Sequence, residues 1–372
     1  MATKLFIPGP TEVAPEVLAA MSGGVDSSAA AMLLLQQGYE VIGVTARMFN
    51  GCDIGLPDAP LNIERDIKDA QAVAQKLGIE HKVVDLRACF NRHVIQHFAS
   101  EYRCGSTPNP CVDCNKYIKF GALLDYAREL GCDYLATGHY ARIVYDSAKS
   151  RWLLARGEDH RKDQSYMLFS LSQAQLSHVL LPLGGVSKDE IRRLAAEAGL
   201  VTAQKPDSQD ICFVPDGDYA GLIGRIGKAS DTAGNFVHLN GQVLGHHKGL
   251  VNYTIGQRKG LGIAYDYPLY VIEKDTASGN VTVGPAEALF SRGLLAKNCN
   301  FITEAALTGP LRVTAKTRYS QQDVPATIEP CGEYVKVTFD EPMRAVTPGQ
   351  AVVFYNGEFI VGGGIIQSAL KE

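Results

Sequence analysis

One short stretch near the N-terminus constrains the fold of this chain more than any other. An apolar run, Val17 to Met21, precedes the string S-G-G-V-D-S-S (residues 22–28), and a helix-forming segment, Ala29 to Leu35, follows it. Strand, glycine turn and helix in this order present free backbone N–H groups and a helix N-terminus to an anion. The two glycines allow a tight turn and leave no side chain between backbone and phosphate. Taken alone, two glycines are equally compatible with an ordinary strand-to-helix turn.

The full string is more restrictive than its two glycines. No lysine follows it as in a Walker P-loop, and no G-x-G-x-x-G is present there, so P-loop and dinucleotide-binding folds are poor matches. The string instead resembles the pyrophosphate-binding PP-loop of the ATP pyrophosphatase superfamily, enzymes that split ATP into AMP and pyrophosphate. This resemblance implies a site for ATP.

Length and composition exclude several classes of protein. At 372 residues we expect two or three domains, because a domain takes about 150 residues. The net charge of −4 excludes a uniformly basic nucleic-acid binder but not a local basic surface. No apolar run approaches the roughly 20 residues that cross a bilayer, and the N-terminus lacks a targeting pattern. We therefore expect a cytoplasmic, monomeric protein with no membrane partner.

Strand and helix patterns alternate through the first half of the chain. Apolar strand patterns lie at 17–21, 40–45, 81–86 and 134–137, and helical patterns lie at 62–77, 91–102 and 119–130. The alternation predicts a doubly wound parallel sheet, whose ligands bind outside the carboxyl ends of the strands. The S-G-G-V-D-S-S string and Gly138-His139 should therefore share one edge. Residues 163–200 read as mostly helical, with a capping box that begins at Ser187.

The pattern changes after about residue 215, where glycine becomes frequent and long helices disappear. Short apolar segments to about 290 predict a small β domain, and five regular segments from 311 to 362 predict a β-barrel. The fold class is therefore α/β plus all-β. We expect four regions: an N-terminal extension, 1–16; a catalytic domain, 17–215; a central β-rich domain, 216–290; and a C-terminal barrel, 291–372. Within the extension, residues 4–11 resemble the opening of class V aminotransferases, and Pro15 leaves the first strand short.

Two cysteine-containing stretches are the other candidates for chemistry. The first, T-P-N-P-C-V-D-C-N-K (residues 107–116), has a C-x-x-C that suits half a zinc site, a redox pair or two iron–sulfur ligands. A zinc site lacks ligands, since no second C-x-x-C or H-x3-H is present and only Cys104 could add a third. The second stretch, K-P-D-S-Q-D-I-C-F (residues 205–213), taken alone indicates a half-buried cysteine on a strand.

Seven blocks taken together resemble one family, the tRNA-specific 2-thiouridylases, which thiolate the wobble uridine of tRNA. In the order of that family they are S-G-G-V-D-S-S, N-P-C-x-x-C-N-K, T-G-H-Y-A-R (137–142), K-D-Q-S-Y (162–166), S-Q-D-I-C-F (208–213), Y-T-I-G-Q-R (253–258) and T-P-G-Q-A-V (347–352). The resemblance extends from about residue 17 to about residue 370.

The resemblance implies a reaction and a set of residues. ATP, with Mg²⁺, adenylates the C2 oxygen of uridine 34, and sulfur then displaces AMP. The residue matching the family's persulfide carrier is Cys212, loaded by a sulfur-relay protein or a cysteine desulfurase. The nucleophile is Cys114, which either attacks that persulfide to release hydrosulfide or closes a disulfide after transfer. Implied ATP contacts, with Asp26 also catalytic, are Ala20, Met21, Ser22, Gly23, Gly24, Val25, Asp26, Ser27, Ala46 and Gly138. Implied tRNA contacts are Asn109, Pro110, Cys111, His139, Lys162, Asp163, Gln164, Arg318, Tyr319 and Gln350.

Two departures from the family keep alternatives open. Many members have Asp at the position of Cys111, so Cys111, Cys114 and Cys212 could instead bind a 4Fe-4S cluster whose fourth iron holds hydrosulfide. The match of Ala46 is loose because the segment 46–61 is unusual. A PP-loop amide ligase would need an ammonia source and no cysteine pair. A non-catalytic module that binds tRNA or nucleotide is the third alternative.

Overall fold

The computed structural model describes residues 14–57, 61–207, 210–227 and 233–371. The aminotransferase-like segment 4–11 lies outside them. Within these ranges no helix is both long and apolar enough to cross a bilayer.

A parallel five-stranded sheet forms the core of the first half. In chain order its strands are β1 (Glu16–Ala20), β2 (Glu40–Arg47), β3 (His81–Asp85), β4 (Tyr134–Ala136) and, after a hairpin, β7 (Val179–Leu180). The spatial order is β3-β2-β1-β4-β7, and every neighbouring pair is parallel. The predicted doubly wound sheet is confirmed.

The first strand forms directly after Pro15. Pro15 still contributes, because its carbonyl accepts a hydrogen bond from the Glu40 amide at 3.1 Å. The strand lies between β2 and β4, and its central residues Val17, Leu18 and Ala19 are buried. This five-residue strand forms backbone hydrogen bonds with a neighbouring strand on each edge. Pro15 therefore shortens the strand but does not prevent it from forming.

Helices cover the sheet on both faces. The first two are α1 (Val25–Gln36) and α2 (Ile63–Leu77). A helical run follows β3 as Arg87–Phe90, Asn91–Ile95 and Gln96–Arg103, and another precedes β4 as Pro110–Asp113, Cys114–Ala122 and Leu123–Glu129. The segments Asn91–Ile95 and Cys114–Ala122 are π-helical. The remaining helices are Gln173–Leu176, Lys188–Glu197 and Tyr219–Ile226, with 3-10 turns at Cys52–Ile54, Ser165–Leu168, Leu250–Asn252 and Ala286–Leu289.

The expectation that residues 163–200 are mostly helical was wrong. A 3-10 turn, one short helix, strand β7 and the helix Lys188–Glu197 share this segment. Polar side chains at its start bond to the backbone instead of allowing a helix: Asp163 accepts from the amides of Gly157 and Ser165, each at 3.1 Å.

An antiparallel hairpin that the sequence reading missed connects the two halves of the molecule. Its strands are β5 (Ala141–Asp146) and β6 (Arg151–Arg156). Strand β6 pairs with the last strand of the C-terminal barrel at Ala155, opposite Phe359. The hairpin therefore fixes the barrel against the parallel-sheet domain.

The second half is β structure, as predicted. A four-stranded sheet has the order β10 (Tyr270–Asp275), β11 (Asn280–Gly284), β8 (Gly234–His238) and β9 (Val243–His247). The barrel contains β12 (Phe290–Phe301), β13 (Leu311–Lys316), β14 (Val324–Cys331), β15 (Tyr334–Arg344), β16 (Ala351–Asn356) and β17 (Phe359–Leu370). Pairing of β12 with both β15 and β17 closes it.

Candidate active site

The S-G-G-V-D-S-S string forms a phosphate-sized turn at the carboxyl edge of the sheet. The Ser22 amide donates to Ser27 Oγ at 3.0 Å, and the hydroxyl of Ser28 donates to the Gly24 carbonyl at 2.8 Å. Gly24 caps α1 without any side-chain hydrogen bond to the helix. The first N–H groups of α1 therefore face the turn without a side-chain cap, and this arrangement suits an anion.

The implied ATP contacts converge on this turn. The Met21 amide donates to the Val44 carbonyl at 2.7 Å, and Ala46, half-buried, lies two residues further along β2 at the same edge. Gly138 follows β4 and approaches α1 so closely that a Cβ there would lie 2.9 Å from the Asp26 carbonyl carbon. Gly23 has φ +71° and faces the backbone of Asp66 in α2, so both angle and space require glycine.

A partly buried ion-pair network, with Lys188 as its buried member, borders the turn. Lys188, the first residue of its helix, is 4% exposed and directs its ammonium group at Asp26, with 2.7 and 2.8 Å to the two carboxylate oxygens. The hydroxyl of Tyr140 donates to Asp26 at 2.7 Å. Lys188 also pairs with Asp207 at 2.8 Å. Asp26 is thus held in place by two donors and lies at the N-terminus of α1.

Asp207 connects this network to two further cations. It pairs with Lys162 at 2.8 Å and with Arg192 at 2.9 Å. Burial opposes its ionisation, but hydrogen bonds from Lys162 and Lys188 prevail and lower the pKa of Asp207 to about 2. Asp207 is therefore a carboxylate at any physiological pH.

The C-x-x-C lies on a helix whose start is built by the loop before it. Asn109 caps the helix by accepting from the Cys111 amide at 3.1 Å, and Pro110 occupies the first helical position. Cys114 is buried and begins the π-helical segment. Such segments are rare and frequently found at functional sites.

Cys212 is carried to the same place by its neighbour Phe213. That ring is buried in the apolar cluster that contains Cys114 and Ile118, and it packs edge-on against Phe98 and Phe90 at 5.4 and 5.7 Å. Cys111 and Cys212 are exposed, whereas Cys114 is buried. The structure thus brings together the two cysteines that the sequence separates by almost a hundred positions.

The environment of the thiols disfavours their ionisation. Desolvation raises the pKa of Cys114 to about 11. Desolvation, followed by repulsion from Cys114 and Cys111, raises the pKa of Cys212 to about 12.

Lys119 is the cation that opposes these shifts at Cys111, Cys114 and Cys212. Its Nζ lies 3.3 Å from Nε2 of His139, whose Nδ1 lies 2.7 Å from Thr137 Oγ1. Desolvation, with the charge of Lys119, lowers the pKa of His139 well below its usual value, so the ring is neutral. A neutral His139 can accept from Lys119 at Nε2 while donating from Nδ1 to Thr137.

The three cysteines leave the cluster alternative as a prediction. Within the described ranges, no group of three or more His, Cys, Asp or Glu side chains is arranged to hold a single metal ion. In a 4Fe-4S cluster, Cys111, Cys114 and Cys212 would each bind a different iron. No step below depends on a cluster.

The implied tRNA contacts fall into two groups. Lys162 and Tyr319 have exposed side chains, although Lys162 also pairs with Asp207. The others have bonds inside the protein: His139 as above, Asp163 to backbone amides, and Gln164, whose side chain accepts from the Tyr140 amide at 3.0 Å.

Arg318 and Gln350 lie where the regions meet. Arg318 donates to the carbonyls of Ile255 and Ala345 at 3.1 and 3.0 Å. Gln350 donates to the carbonyl of Thr107 at 2.7 Å, in the loop that leads to the C-x-x-C. In this structure both side chains therefore join the barrel to its neighbours.

Sequence reasoning missed Lys188 and Lys119. Ser187-Lys188-Asp189-Glu190 was interpreted only as a helix start, and Ser187 does accept from the Glu190 amide at 3.2 Å. The sequence did carry a signal for Lys188. It is a lysine at the first position of a helix, where acidic residues are favoured, and this indicates a specific partner. Lys119 could have been noticed because it lies five residues after Cys114, one π-helical hydrogen-bond step.

Family models match nearly the whole chain. Residues 15–216 match a model described as a tRNA methyl transferase HUP domain, residues 223–285 a tRNA methyl transferase PRC-barrel domain, and residues 291–366 an aminomethyltransferase beta-barrel domain. Solved structures are more distant. An NMN synthetase from Francisella tularensis aligns with a TM-score of 0.31 and 15% identity over 52% of this chain and 66% of that one.

Sequence relatives are much closer and share one name. The tRNA-specific 2-thiouridylase MnmA of Clostridioides difficile is 48% identical over 95% of this chain and 99% of its own length. MnmA 1 of Caldanaerobacter subterraneus is 48% identical over 97% and 100%, and MnmA of Heliobacterium modesticaldum is 50% identical over 94% and 92%. The chain therefore belongs to the tRNA-specific 2-thiouridylase family.

Proposed function

We propose that this protein is an ATP-dependent tRNA sulfurtransferase that replaces the C2 oxygen of the wobble uridine, position 34, with sulfur. The observation that carries the proposal is that one domain holds an uncapped glycine turn at the N-terminus of α1 and a buried Cys114 that shares an apolar cluster with Phe213, the neighbour of Cys212. The first suits activation of an oxygen by ATP, and the second suits delivery of sulfur.

Activation is the task of the glycine turn. The backbone N–H groups at residues 22–27 would bind the phosphates of ATP, with Met21 and Ala46 beside the nucleotide and Gly138 leaving room for it. Attack of the uridine C2 oxygen on the α-phosphorus expels pyrophosphate, so that AMP becomes the leaving group. Mg²⁺ would neutralise charge at the phosphates. It usually takes only one or two protein carboxylates, and Asp26, in the first turn of α1, would be one of them.

Sulfur transfer is the task of the cysteines. The terminal sulfur of a Cys212 persulfide attacks the activated C2, and AMP departs with the former C2 oxygen. The Cys114 thiolate then attacks Sγ of Cys212, which breaks the S–S bond, leaves sulfur on uridine and forms a Cys114–Cys212 disulfide. An external thiol reductant must reopen that disulfide, and a protein persulfide donor, a relay protein or cysteine desulfurase, must reload Cys212.

Lys119 supports the sulfur half of the site. Both steps involve sulfur anions, and burial disfavours the thiolate of Cys114. The ammonium of Lys119, held by neutral His139, offsets part of that cost. This arrangement favours an anionic sulfur over the neutral ammonia that an amide ligase would need.

The regions divide the work in this proposal. Residues 17–215 perform the chemistry, 216–290 form a central β-rich region, and 291–372 form the barrel that binds tRNA. Asn109, Pro110 and Cys111 would contact the target base, and the exposed side chains of Lys162 and Tyr319 would contact the RNA. We place the protein in the cytoplasm, where tRNA and thiol reductants are present, and expect it to be a monomer.

The test is direct. The protein is incubated with ATP, Mg²⁺, unmodified tRNA and a persulfide donor, and digested nucleosides are analysed by mass spectrometry. We expect 2-thiouridine with wild type and none with Cys114→Ser or Cys212→Ser. Cys331→Ser, an exposed cysteine on the barrel, is the matched control and should behave as wild type. Methylated or amidated product, or no thiolation by folded protein, would contradict the proposal.

A further inference from the structure

The T-P-G-Q-A-V block of the barrel (residues 347–352) lies against the loop that leads to the C-x-x-C. The Thr107 amide donates to the Pro348 carbonyl at 2.9 Å. The Thr107 carbonyl accepts from Nε2 of Gln350 at 2.7 Å. The barrel therefore bonds to both backbone polar groups of Thr107, and the proposed reaction has so far assigned no task to this contact.

Gly349, between the two partners of Thr107, brings the two loops close together. It is buried, its φ is +88°, and a Cβ there would lie 2.8 Å from the Thr107 amide nitrogen and 2.9 Å from Ser106 Cβ. Real Cβ atoms essentially never approach other atoms within 3.0 Å, and L side chains rarely adopt this φ. Both the backbone angle and the distance to Thr107 therefore require glycine here.

Strand β17 holds the barrel side of the contact. The Gly349 amide donates to the Ile366 carbonyl at 2.9 Å, and the Ile366 amide donates to the Gln350 carbonyl at 2.8 Å. The Gln350 amide also donates to the carbonyl of Thr347, a residue that is 2% exposed. Residues 348–350, which we name the barrel clamp, are thus bonded to a strand of the barrel and present a fixed surface to Thr107.

The other side of the contact leads directly to the cysteine helix. Both prolines of the segment 108–110 are buried, and they restrict the backbone that follows Thr107. Asn109 caps the helix by accepting from the Cys111 amide at 3.1 Å. Cys114 follows three residues later on the same helical run. A shift of Thr107 therefore reaches the cysteine helix, because the backbone between them has little freedom to absorb it.

We propose that Gly349 and Gln350 are positioning residues, which act through Thr107 to hold the helix of Cys114 in its buried position. This inference rests on the proposed function, because it takes Cys114 to be the nucleophile of sulfur transfer. It goes further by giving the barrel, to which that proposal assigns tRNA binding, a second task in the sulfur half of the site.

The experiment measures the exposure of Cys114 in the free protein, without tRNA, sulfur donor or turnover. The absence of RNA separates the clamp from any RNA contact that Gln350 makes. Alkylation by iodoacetamide is followed by peptide mass spectrometry. Cys331, exposed on the barrel, is the reference thiol in the same sample. A buried thiol reacts only when its surroundings open, so the ratio of the two rates reports local opening around Cys114.

Two variants perturb the clamp in different ways. Gln350→Met removes the donor to the Thr107 carbonyl, and Gly349→Ala forces a Cβ against the Thr107 backbone. Gly241→Ala is the matched control, because Gly241 has nearly the same φ, +89°, and a Cβ there would have no atom of the described residues within 4 Å. It therefore carries the backbone strain of Gly349→Ala without the collision.

We expect Cys114 alkylation to rise roughly fivefold in Gln350→Met, the factor that corresponds to the loss of one ordinary hydrogen bond, and at least as much in Gly349→Ala. The rate at Cys331 should not change, and Gly241→Ala should match wild type at both cysteines. Gly349→Ala should also slow single-turnover thiolation roughly tenfold, because its collision displaces the loop by about 0.6 Å (3.4 − 2.8). Binding of α,β-methylene-ATP, measured by calorimetry, should stay at the wild-type value, whereas a general loss of structure would weaken it.

An unchanged rate of Cys114 alkylation in either folded clamp variant would overturn the inference. An equal rise in Gly241→Ala, or an equal rise at Cys331, would overturn it too. Gln350→Met decides the question if Gly349→Ala does not fold. Because alkylation needs no substrate, the clamp can fail while wild type still forms 2-thiouridine. Failure of the proposed function would instead appear as wild-type protein that forms no 2-thiouridine.

Discussion

The close approach of Gly138 to α1 gives a sharp test of how the ATP site is built. In Gly138→Ala the new Cβ would lie 2.9 Å from the Asp26 carbonyl carbon and 3.0 Å from the Ser27 amide nitrogen, both of them backbone atoms. Ordinary contact begins at 3.4 Å, so the first turn of α1 must move by about 0.5 Å (3.4 − 2.9). Overpacking of this kind costs about 1–3 kcal/mol of stability. A misplacement of 1 Å can lower the rate about a hundredfold. On the same logarithmic scale, a displacement of about half that size predicts a loss of roughly tenfold in kcat/KM for ATP.

Pyrophosphate release in the presence of tRNA measures that loss, with the free energy of unfolding measured in parallel by urea titration. Gly185→Ala is the matched control, because the nearest atom to a Cβ there is a side-chain oxygen at 3.9 Å. Gly185→Ala should leave both kcat/KM for ATP and the free energy of unfolding near their wild-type values. If folded Gly138→Ala releases pyrophosphate with wild-type kcat/KM, the N-terminus of α1 does not position the nucleotide as argued here.

Two further predictions concern the sulfur half of the site. Lys119→Met should slow single-turnover thiolation about tenfold or more while leaving ATP binding unchanged, and Lys119→Arg should recover part of the rate; equal rates in all three proteins would refute the role of this cation. Because burial raises the pKa of Cys114 to about 11, its thiolate fraction should grow roughly tenfold per pH unit between pH 7 and 9. The rate of Cys114 alkylation by iodoacetamide should rise accordingly, and a plateau beginning below pH 8 would contradict the buried thiol.

The parts of the fold that the sequence predicted depend on local pattern. The parallel sheet, the small β domain and the barrel follow from strand periodicity and from glycine turns, which neighbouring residues determine. The hairpin of β5 and β6 was missed because its stability comes partly from pairing with β17, some two hundred residues away. The helical reading of 163–200 failed for a related reason, since Asp163 satisfies backbone amides that no local pattern identifies.

The residues of the site divide in the same way, into those that a local pattern identifies and those that depend on distant partners. The glycine turn and the C-x-x-C were visible as motifs, because their residues are contiguous. Lys188 was not, because its function depends on Asp26 and Asp207, which are distant in sequence and meet it only in the fold. The tRNA contact of Arg318 stays a prediction, but no sequence pattern indicated that its guanidinium also bonds to backbone carbonyls where the central region meets the barrel. Which face a polar side chain takes is decided by tertiary partners that one sequence does not reveal.

In the proposed reaction, ATP activates the C2 oxygen and the cysteines replace it with sulfur. Isotope tracing can follow that oxygen, using tRNA that carries oxygen-18 at C2 of the wobble uridine in a single turnover with ATP and persulfide-loaded protein. We expect the heavy oxygen to appear in AMP, in equal amount to the 2-thiouridine formed. Formation of 2-thiouridine together with unlabelled AMP would refute activation of the C2 oxygen by ATP.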